Sequence, residues 1–133
     1  MTDRPHVVLI VDDDHAVRDA LQFALGLEGF VVHAYGSGGE LLAEKELPRA
    51  TCVVIDEKMP GMDGFELLRL LRARHITLPS ILITSHMTAR LRARAAAAGI
   101  RSVLEKPLLD NVLTESVLAI LEQRTQRCSG QLG

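Results

Sequence analysis

The chain has 133 residues, of which 47% are hydrophobic and 24% charged, a balance that suits one domain with a packed core. The formal net charge of −2 argues against non-specific nucleic-acid binding, and no apolar run approaches the length of a membrane span. The start of the chain does not resemble a signal peptide, and the two cysteines (Cys52 and Cys128) are far apart, so we expect no disulfide and a cytoplasmic protein.

The first half of the chain alternates short apolar runs with helical patterns. Residues 7–11 form an apolar run, and a helical stripe of Val17, Leu21 and Leu25 follows. A second run covers 30–35, and a weaker helical segment with a loose glycine-rich entry covers 37–47. These runs are β-branched and continuous, which is typical of strands that are covered on both faces.

The second half repeats the same alternation. Apolar runs cover 51–55, 80–84 and 102–105, and helical stripes follow the first and last of them. The alanine-rich segment 87–98 predicts a helix that Gly99 ends. Five strands alternating with five helices predict an α/β fold, with a doubly wound parallel sheet, helices on both faces and right-handed connections.

Reactive side chains follow four of the five predicted strands. Because parallel strands end at the same edge of a sheet, and ligands bind there in open α/β folds, these side chains should meet. The residues are Asp12, Asp13, Asp14, Asp56, Thr84, Ser85, Glu105, Lys106 and Pro107. We therefore expect carboxylates, a hydroxyl and an ammonium group at one edge.

Three consecutive aspartates after a buried strand raise a physical question, because neighbouring carboxylates repel one another. One interpretation is a solvated turn in which one aspartate caps the next helix; the other is a cation site. Clustered carboxylates suit Mg²⁺ bound together with a phosphate. A carboxylate can also act as a nucleophile that forms an acyl phosphate, while a lysine and a hydroxyl contact the phosphate oxygens.

The segment "VVIDEKMPGMDGFELL" resembles the phosphoacceptor segment of two-component response-regulator receiver domains. The resemblance rests on Asp56, Met59, Pro60 and Gly64 here, and on matching motifs at the other strand ends, which are Asp12, Asp13, Thr84, Lys106 and Pro107. It covers roughly residues 6–122. It implies the flavodoxin-like strand order 2-1-3-4-5, a receiver domain over 1–122 and a short polar tail over 123–133 with no output domain.

The resemblance implies a phosphorylation-activated switch rather than an enzyme with a substrate of its own. Asp56 would accept a phosphoryl group from a sensor histidine kinase or a histidine phosphotransferase. Lys106 and Thr84 would contact the phosphoryl oxygens, and the Lys106–Pro107 peptide bond would be cis.

The resemblance also implies a metal site. Asp13, Asp56 and the backbone carbonyl of Lys58 would bind Mg²⁺, for which Mn²⁺ could substitute, and Asp12 would act mostly through a metal-bound water. Asp14 lies outside this acidic pair and is our choice for the helix N-cap.

Three positions depart from the family pattern. Val103 stands where receivers usually have a Phe or Tyr that switches together with the hydroxyl residue, here Thr84. Lys58 and His86 form an unusual basic pair near the expected phosphoryl group. We therefore expect the switch to involve the loop after the fourth strand and helix 87–98. The surface of that helix, with Arg90, Arg94 and Arg101, would bind a partner or a second copy, unless these arginines are merely solvated.

Two other functions remain open from the sequence alone. Asp12 and Asp14 have the Asp-x-Asp spacing of haloacid-dehalogenase-like phosphatases, although the Met-Pro and Lys-Pro motifs argue against that family. The chain could also be the N-terminal part of a DNA-binding transcriptional regulator. Whether the receiver acts alone or as the N-terminal part of a transcriptional regulator, we expect no direct contact between this domain and nucleic acid.

Overall fold

The computed structural model describes residues 6–108 and 111–132, with side chains described up to residue 123. Five strands alternate with five helices within these residues. They are β1 (Val7–Val11), α1 (His15–Leu27), β2 (Val31–Tyr35), α2 (Gly38–Leu42), β3 (Cys52–Asp56), α3 (Gly64–Ala73), β4 (Ser80–Thr84), α4 (Ala89–Ala97), β5 (Ser102–Glu105) and α5 (Val112–Leu132). All neighbouring strands are parallel, in the order β2-β1-β3-β4-β5, which confirms the predicted fold.

Most predicted boundaries agree with the structure to within one or two residues. Strand β3 runs one residue further than predicted, so that Asp56 is its last residue and pairs with Ile83 of β4. Helix α4 begins two residues late because the Thr88 side chain caps it, accepting a hydrogen bond from the Leu91 amide. Gly99 follows the C-cap residue Ala98 and adopts a positive φ of 79°, as expected for a glycine that ends a helix.

The prediction for the second helix was wrong in its bounds, and the last helix is longer than its apolar stripe. Helix α2 covers only Gly38–Leu42 rather than 37–47, and its entry is not loose, because the Ser37 hydroxyl accepts a hydrogen bond from the Glu40 amide at 3.1 Å. Helix α5 continues to Leu132, so the predicted polar tail over 123–133 is helical as far as that residue. The side chain of Cys128 lies outside the described part of the chain. No helix in the described residues combines the length and apolar character needed to cross a bilayer.

The sheet separates two apolar layers. Along β1, Val8 and Ile10 face the layer covered by α1 and α5, whereas Leu9 and Val11 face the layer covered by α2 and α3. This alternation follows from the two-residue period of a strand. Every residue of β3 and β4 is buried, so both strands are fixed rigidly where they end at the edge that carries the predicted site.

Gly64, the first residue of α3, packs against the end of β3. A Cβ atom there would lie 2.7 Å from the Asp56 carbonyl oxygen and 2.9 Å from Ile55 Cγ2. The backbone carbonyl cannot move aside without disturbing β3. We therefore expect Gly64→Ala to lower the free energy of unfolding by about 1 to 3 kcal/mol in urea melts.

Gly26→Ala in α1 is the matched control, because a Cβ at that position meets nothing within 4 Å. It should raise the free energy of unfolding by about 0.5 to 1 kcal/mol, as expected for Ala over Gly in a helix. Equal effects of the two substitutions would show that the close contact at Gly64 is not what matters.

Candidate functional site

The ends of β1 and β3 bring three predicted carboxylates together. Asp12 and Asp56 are only 1% and 5% exposed, whereas Asp13 is exposed to solvent. Oxygen atoms of Asp12, Asp13 and Asp56 all lie within 4.8 Å of one another. The predicted acidic cluster is therefore present, and two of its three members are taken almost completely out of water.

Lys106 reaches into this cluster from the end of β5. Its Nζ lies 3.2 Å from Asp12 Oδ2 and 3.3 Å from Asp56 Oδ1. The Lys106 amide donates to the Thr84 carbonyl at 2.8 Å, and the Lys106–Pro107 bond is cis, as predicted. Burial lowers the pKa of the ammonium, but the attraction of the two carboxylates outweighs it and raises the pKa above its ordinary value. Lys106 is therefore a permanent positive charge in the site.

The carboxyl group of Asp56 has a strongly raised pKa. Burial, followed by the negative charge of Asp12, raises its pKa from 3.8 to about 6. Lys106 opposes this rise but does not cancel it. The ionised form of Asp56 is thus held at a free-energy cost in the metal-free protein.

Asp14 is committed to helix α1. Its Oδ1 accepts hydrogen bonds from the Ala16 amide at 2.9 Å and the Val17 amide at 3.3 Å, which confirms the predicted N-cap. Asp12 Oδ1 accepts from the Asp14 amide at 2.9 Å and so fixes the turn between strand and helix. The second acid of an Asp-x-Asp phosphatase pair would thus be a helix cap here, which argues against that alternative.

The acidic cluster fits a hard divalent cation. Asp12 Oδ2 is buried and makes no well-aligned hydrogen bond within the described residues, although the Lys106 ammonium lies nearby. Three carboxylates share one cation-sized space, with a single lysine to offset them. This donor set and its uncompensated charge are those that Mg²⁺ binds in proteins.

A cavity of about 70 Å³ lies beside Asp56, and Lys58, the predicted carbonyl ligand, lies in its wall. The predicted residues Thr84 and His86 also line this cavity, together with Glu57 and Ser85. Thr84 is 1% exposed. Its Oγ1 donates a hydrogen bond to Glu57 Oε1 at 2.7 Å and accepts one from the His86 amide at 3.2 Å.

Sequence reasoning missed three supporting contacts. Besides Glu57, the Arg18 Nη1 donates to the Asp12 carbonyl at 2.7 Å, and a Glu105 carboxylate oxygen accepts from the Met87 amide at 3.0 Å. In the sequence, the only indication of a role for Glu57 and Glu105 is that each is an acid at the end of a strand. Nothing in the sequence distinguishes Arg18 from the other surface residues of α1. These contacts hold the loops after β1 and β4 in place.

The predicted switch residue Val103 is half-buried on β5 and pairs with Leu82 of β4. Of the three arginines predicted to form a binding surface, two have partners within the chain. Arg94 lies over the Phe65 ring, 3.9 Å from its centroid, and Arg101 donates to Gln123. This part of the surface is therefore partly engaged with its own chain.

Residues 8–118 match the family model described as the response regulator receiver domain. The chain belongs to this family. It is thus a receiver domain of two-component response regulators, a signalling module. The identification rests on a match that begins at the second residue of β1, covers the other four strands and ends within the first third of α5. Receiver domains of this family interact with histidine kinases and bind Mg²⁺ at an acidic pocket.

Similar sequences and structures agree with this assignment. The chain is 35% identical over 123 residues to the transcriptional regulatory protein FixJ of Bradyrhizobium diazoefficiens, and 40% identical over 117 residues to FixJ of Rhizobium meliloti. These alignments cover 92% and 88% of the chain but only 60% and 56% of the two relatives. The receiver domain therefore spans little more than half the length of these regulators.

Two solved structures have the same fold. The crystal structure of FixJ-N aligns with a TM-score of 0.79 at 38% identity, covering 92% of this chain and 96% of that one. A CheY-like receiver domain protein from Methanospirillum hungatei aligns with a TM-score of 0.83 at 27% identity, covering 93% and 99%. Both alignments cover nearly the whole of the solved chain.

The raised pKa of Asp56 predicts a pH-dependent gain in stability for Asp56→Asn in the metal-free protein. Folding penalises the carboxylate but not the neutral acid, so the penalty is absent below pH 3.8 and complete above about pH 6. At about 1.4 kcal/mol per pKa unit, the substitution should add up to roughly 3 kcal/mol to the free energy of unfolding near pH 8 and almost nothing near pH 4.

Urea melts in a chelating buffer at the two pH values measure this difference. Asp19→Asn on the exposed surface of α1 is the control and should change little at either pH. A gain for Asp56→Asn that is the same at both pH values would show that its origin is not the ionisation of this carboxyl group.

Proposed function

We propose that this receiver domain accepts a phosphoryl group on Asp56 from a sensor histidine kinase or a histidine phosphotransferase, in a reaction that depends on Mg²⁺. The observation that carries the proposal is the buried Asp56 carboxylate at the end of β3, with two further carboxylates within 4.8 Å and the Lys106 ammonium 3.3 Å away. A buried nucleophile beside a fixed cation is suited to attack on an anionic phosphoryl group.

The transfer exchanges one bond to phosphorus for another. An Asp56 carboxylate oxygen forms the new bond to phosphorus, and the bond from phosphorus to the donor histidine nitrogen breaks, with its electron pair returning to the imidazole. Lys106 remains paired with the carboxylate oxygen that does not react and contacts a phosphoryl oxygen. The Thr84 hydroxyl, which lines the same cavity, donates to another phosphoryl oxygen.

The metal ligands in this proposal are Asp12, Asp13, Asp56 and the backbone carbonyl of Lys58. When bound, Mg²⁺ or Mn²⁺ supplies the positive charge that lets the carboxylates and the phosphoryl oxygens approach one another. Lys106 alone cannot do so, since it faces two buried carboxylates already.

A groove of about 520 Å³ beside the acidic cluster gives the phosphodonor a place to dock. Its walls are mostly apolar and come from the start of α1 and the segment after β5, with Ala16, Val17, Ala20, Lys106, Pro107 and Leu108 among the lining residues. Because Lys106 belongs to both the groove and the site, a helix that carries the donor histidine could lie in the groove and present its imidazole to Asp56.

In the cell, we place this module in the cytoplasm, with residues 1–122 as the receiver unit and no substrate turnover beyond its own phosphorylation and dephosphorylation. The likeness to FixJ supports a role as the regulatory part of a transcriptional regulator. Phosphorylation-dependent pairing of two copies is the proposed output, and this domain makes no direct contact with nucleic acid or membrane.

Incubation with acetyl phosphate and Mg²⁺ should add the mass of one phosphoryl group to the protein, as measured by intact mass spectrometry. Asp56→Asn keeps the shape of the side chain and removes the nucleophile, so it should remain unlabelled. Labelling of the Asn variant to the same extent as the parent would mean that another residue accepts the group. Turnover of p-nitrophenyl phosphate should be negligible, and sustained turnover would favour the phosphatase alternative.

Asp13→Ala should abolish Mg²⁺ binding in calorimetric titrations and most phosphorylation by acetyl phosphate. Its carboxylate is the exposed member of the cluster, so its loss should perturb packing little. In the metal-free protein the substitution should raise the melting temperature, because it removes one of three mutually repelling charges. A lower melting temperature would reveal a structural partner of Asp13 instead.

A further inference from the structure

The proton of the Thr84 hydroxyl is already engaged in this structure. It donates to Glu57 Oε1 at 2.7 Å and accepts from the His86 amide at 3.2 Å. A hydroxyl has one proton to donate. The His86 carbonyl oxygen also lies near, at 3.3 Å. The Glu57 carboxylate is both closer and negatively charged, so it is the stronger acceptor of the Thr84 proton. Thr84 therefore cannot donate to a phosphoryl oxygen until it releases Glu57.

We propose that Glu57 is a latch that holds Thr84 in the unphosphorylated arrangement and so opposes phosphorylation of Asp56. The inference rests on the proposed function, because it concerns the partner that Thr84 must leave when a phosphoryl group appears. It assigns a role to a side chain that directly follows the phosphoacceptor. Glu57 acts through Thr84, so it is a positioning residue.

The backbone that carries Glu57 and Thr84 is held by strand pairing, so the latch itself opens by rotation of side chains. The Glu57 amide donates to the Ile83 carbonyl at 2.7 Å, and the Gly64 amide donates to the Glu57 carbonyl at 2.9 Å. On the other side, the Thr84 carbonyl accepts from the Lys106 amide at 2.8 Å. Glu57 and Thr84 are thus held at a constant separation by the pairing of β3 with β4, and rotation of the two side chains opens or closes the latch.

Opening the latch also releases the loop after β4. The His86 amide donates to Thr84 Oγ1 in the closed arrangement, so a rotation of the hydroxyl removes a contact that holds this loop. The same loop is tied to Glu105 at the Met87 amide. With Val103 in place of a large switch residue, the exchange of Thr84 between Glu57 and the phosphoryl group links Asp56 to the start of α4.

The strength of the latch sets the size of the expected effect. A partly buried hydrogen bond from a hydroxyl to a carboxylate shifts an equilibrium by about tenfold. Removing the acceptor should therefore favour the phosphorylated arrangement by about that factor. Glu57 also carries a negative charge near the site, and its removal would favour an anionic ligand in any case, so the experiment must separate the two effects.

The test is a double-mutant cycle read out by binding of beryllofluoride, a phosphoryl mimic, in the presence of Mg²⁺. The half-saturating concentration is measured from the amide resonances of residues 84–105 for four proteins: the parent, Glu57→Ala, Thr84→Val and the double variant. We expect Glu57→Ala to lower this concentration about tenfold more in the parent than in the Thr84→Val background. The charge effect is the same in both backgrounds and cancels.

Glu57→Gln provides the conservative variant, because its amide oxygen still accepts from Thr84 while the charge is gone. It should lower the half-saturating concentration less than Glu57→Ala in the parent and equally in the Thr84→Val background. If Glu57→Ala lowers the half-saturating concentration by the same factor in the parent and in the Thr84→Val background, the latch proposal is wrong. The effect of Glu57 would then be charge repulsion alone. No beryllofluoride binding by the parent would instead overturn the proposed function itself, and the latch with it.

Discussion

Two carboxylates, those of Asp12 and Asp56, are buried side by side at the ends of adjacent strands. The rest of the site follows from the free-energy cost of burying two like charges together. Each loses hydration, and each repels the other. Lys106 lies within 3.3 Å of both and offsets part of this repulsion, yet the pKa of Asp56 remains raised to about 6. The protein thus retains a site with excess negative charge that binding of a cation relieves.

The surrounding fold makes this arrangement rigid. Strands β3 and β4 are buried throughout, so Asp56 and Thr84 cannot retreat from the edge that they share. Gly64 lets α3 begin directly against the Asp56 carbonyl, where a side chain would not fit. The cap at Asp14 and the bond from Arg18 to the Asp12 carbonyl hold the acidic turn after β1. Packing energy from the two apolar layers therefore holds together charges that would otherwise separate.

Much of this site could be predicted from the sequence because strand ends in a parallel sheet converge by topology alone. Asp12, Asp56, Thr84 and Lys106 each lie at the end of an apolar run, and a parallel sheet brings the ends of its strands to one edge. The strand order then decides which of them are neighbours. The N-cap at Asp14 is equally local, since it depends on the next three residues only. The strand order itself came from the family resemblance and not from the residues.

What could not be predicted depends on side-chain rotamers or on tertiary packing. The bond between Glu57 and Thr84 joins residues 27 positions apart and requires both rotamers to be known. The contact of the Arg18 guanidinium with the Asp12 carbonyl likewise depends on a side-chain conformation that the sequence does not indicate. Helix α5 runs past residue 122 although the apolar stripe ends there, because a polar sequence can continue a helix that packing has already started.

The central claim is that the strained Asp56 carboxylate is the group that becomes phosphorylated. Borohydride reduces an aspartyl phosphate to homoserine and leaves free aspartate unchanged, so it marks the acceptor in the chain. After phosphorylation with acetyl phosphate and Mg²⁺, borohydride treatment and peptide mapping should place homoserine at position 56 and at no other aspartate. Homoserine at position 12 or 13 would contradict this account, because it would show that the buried carboxylate beside Lys106 is not the nucleophile.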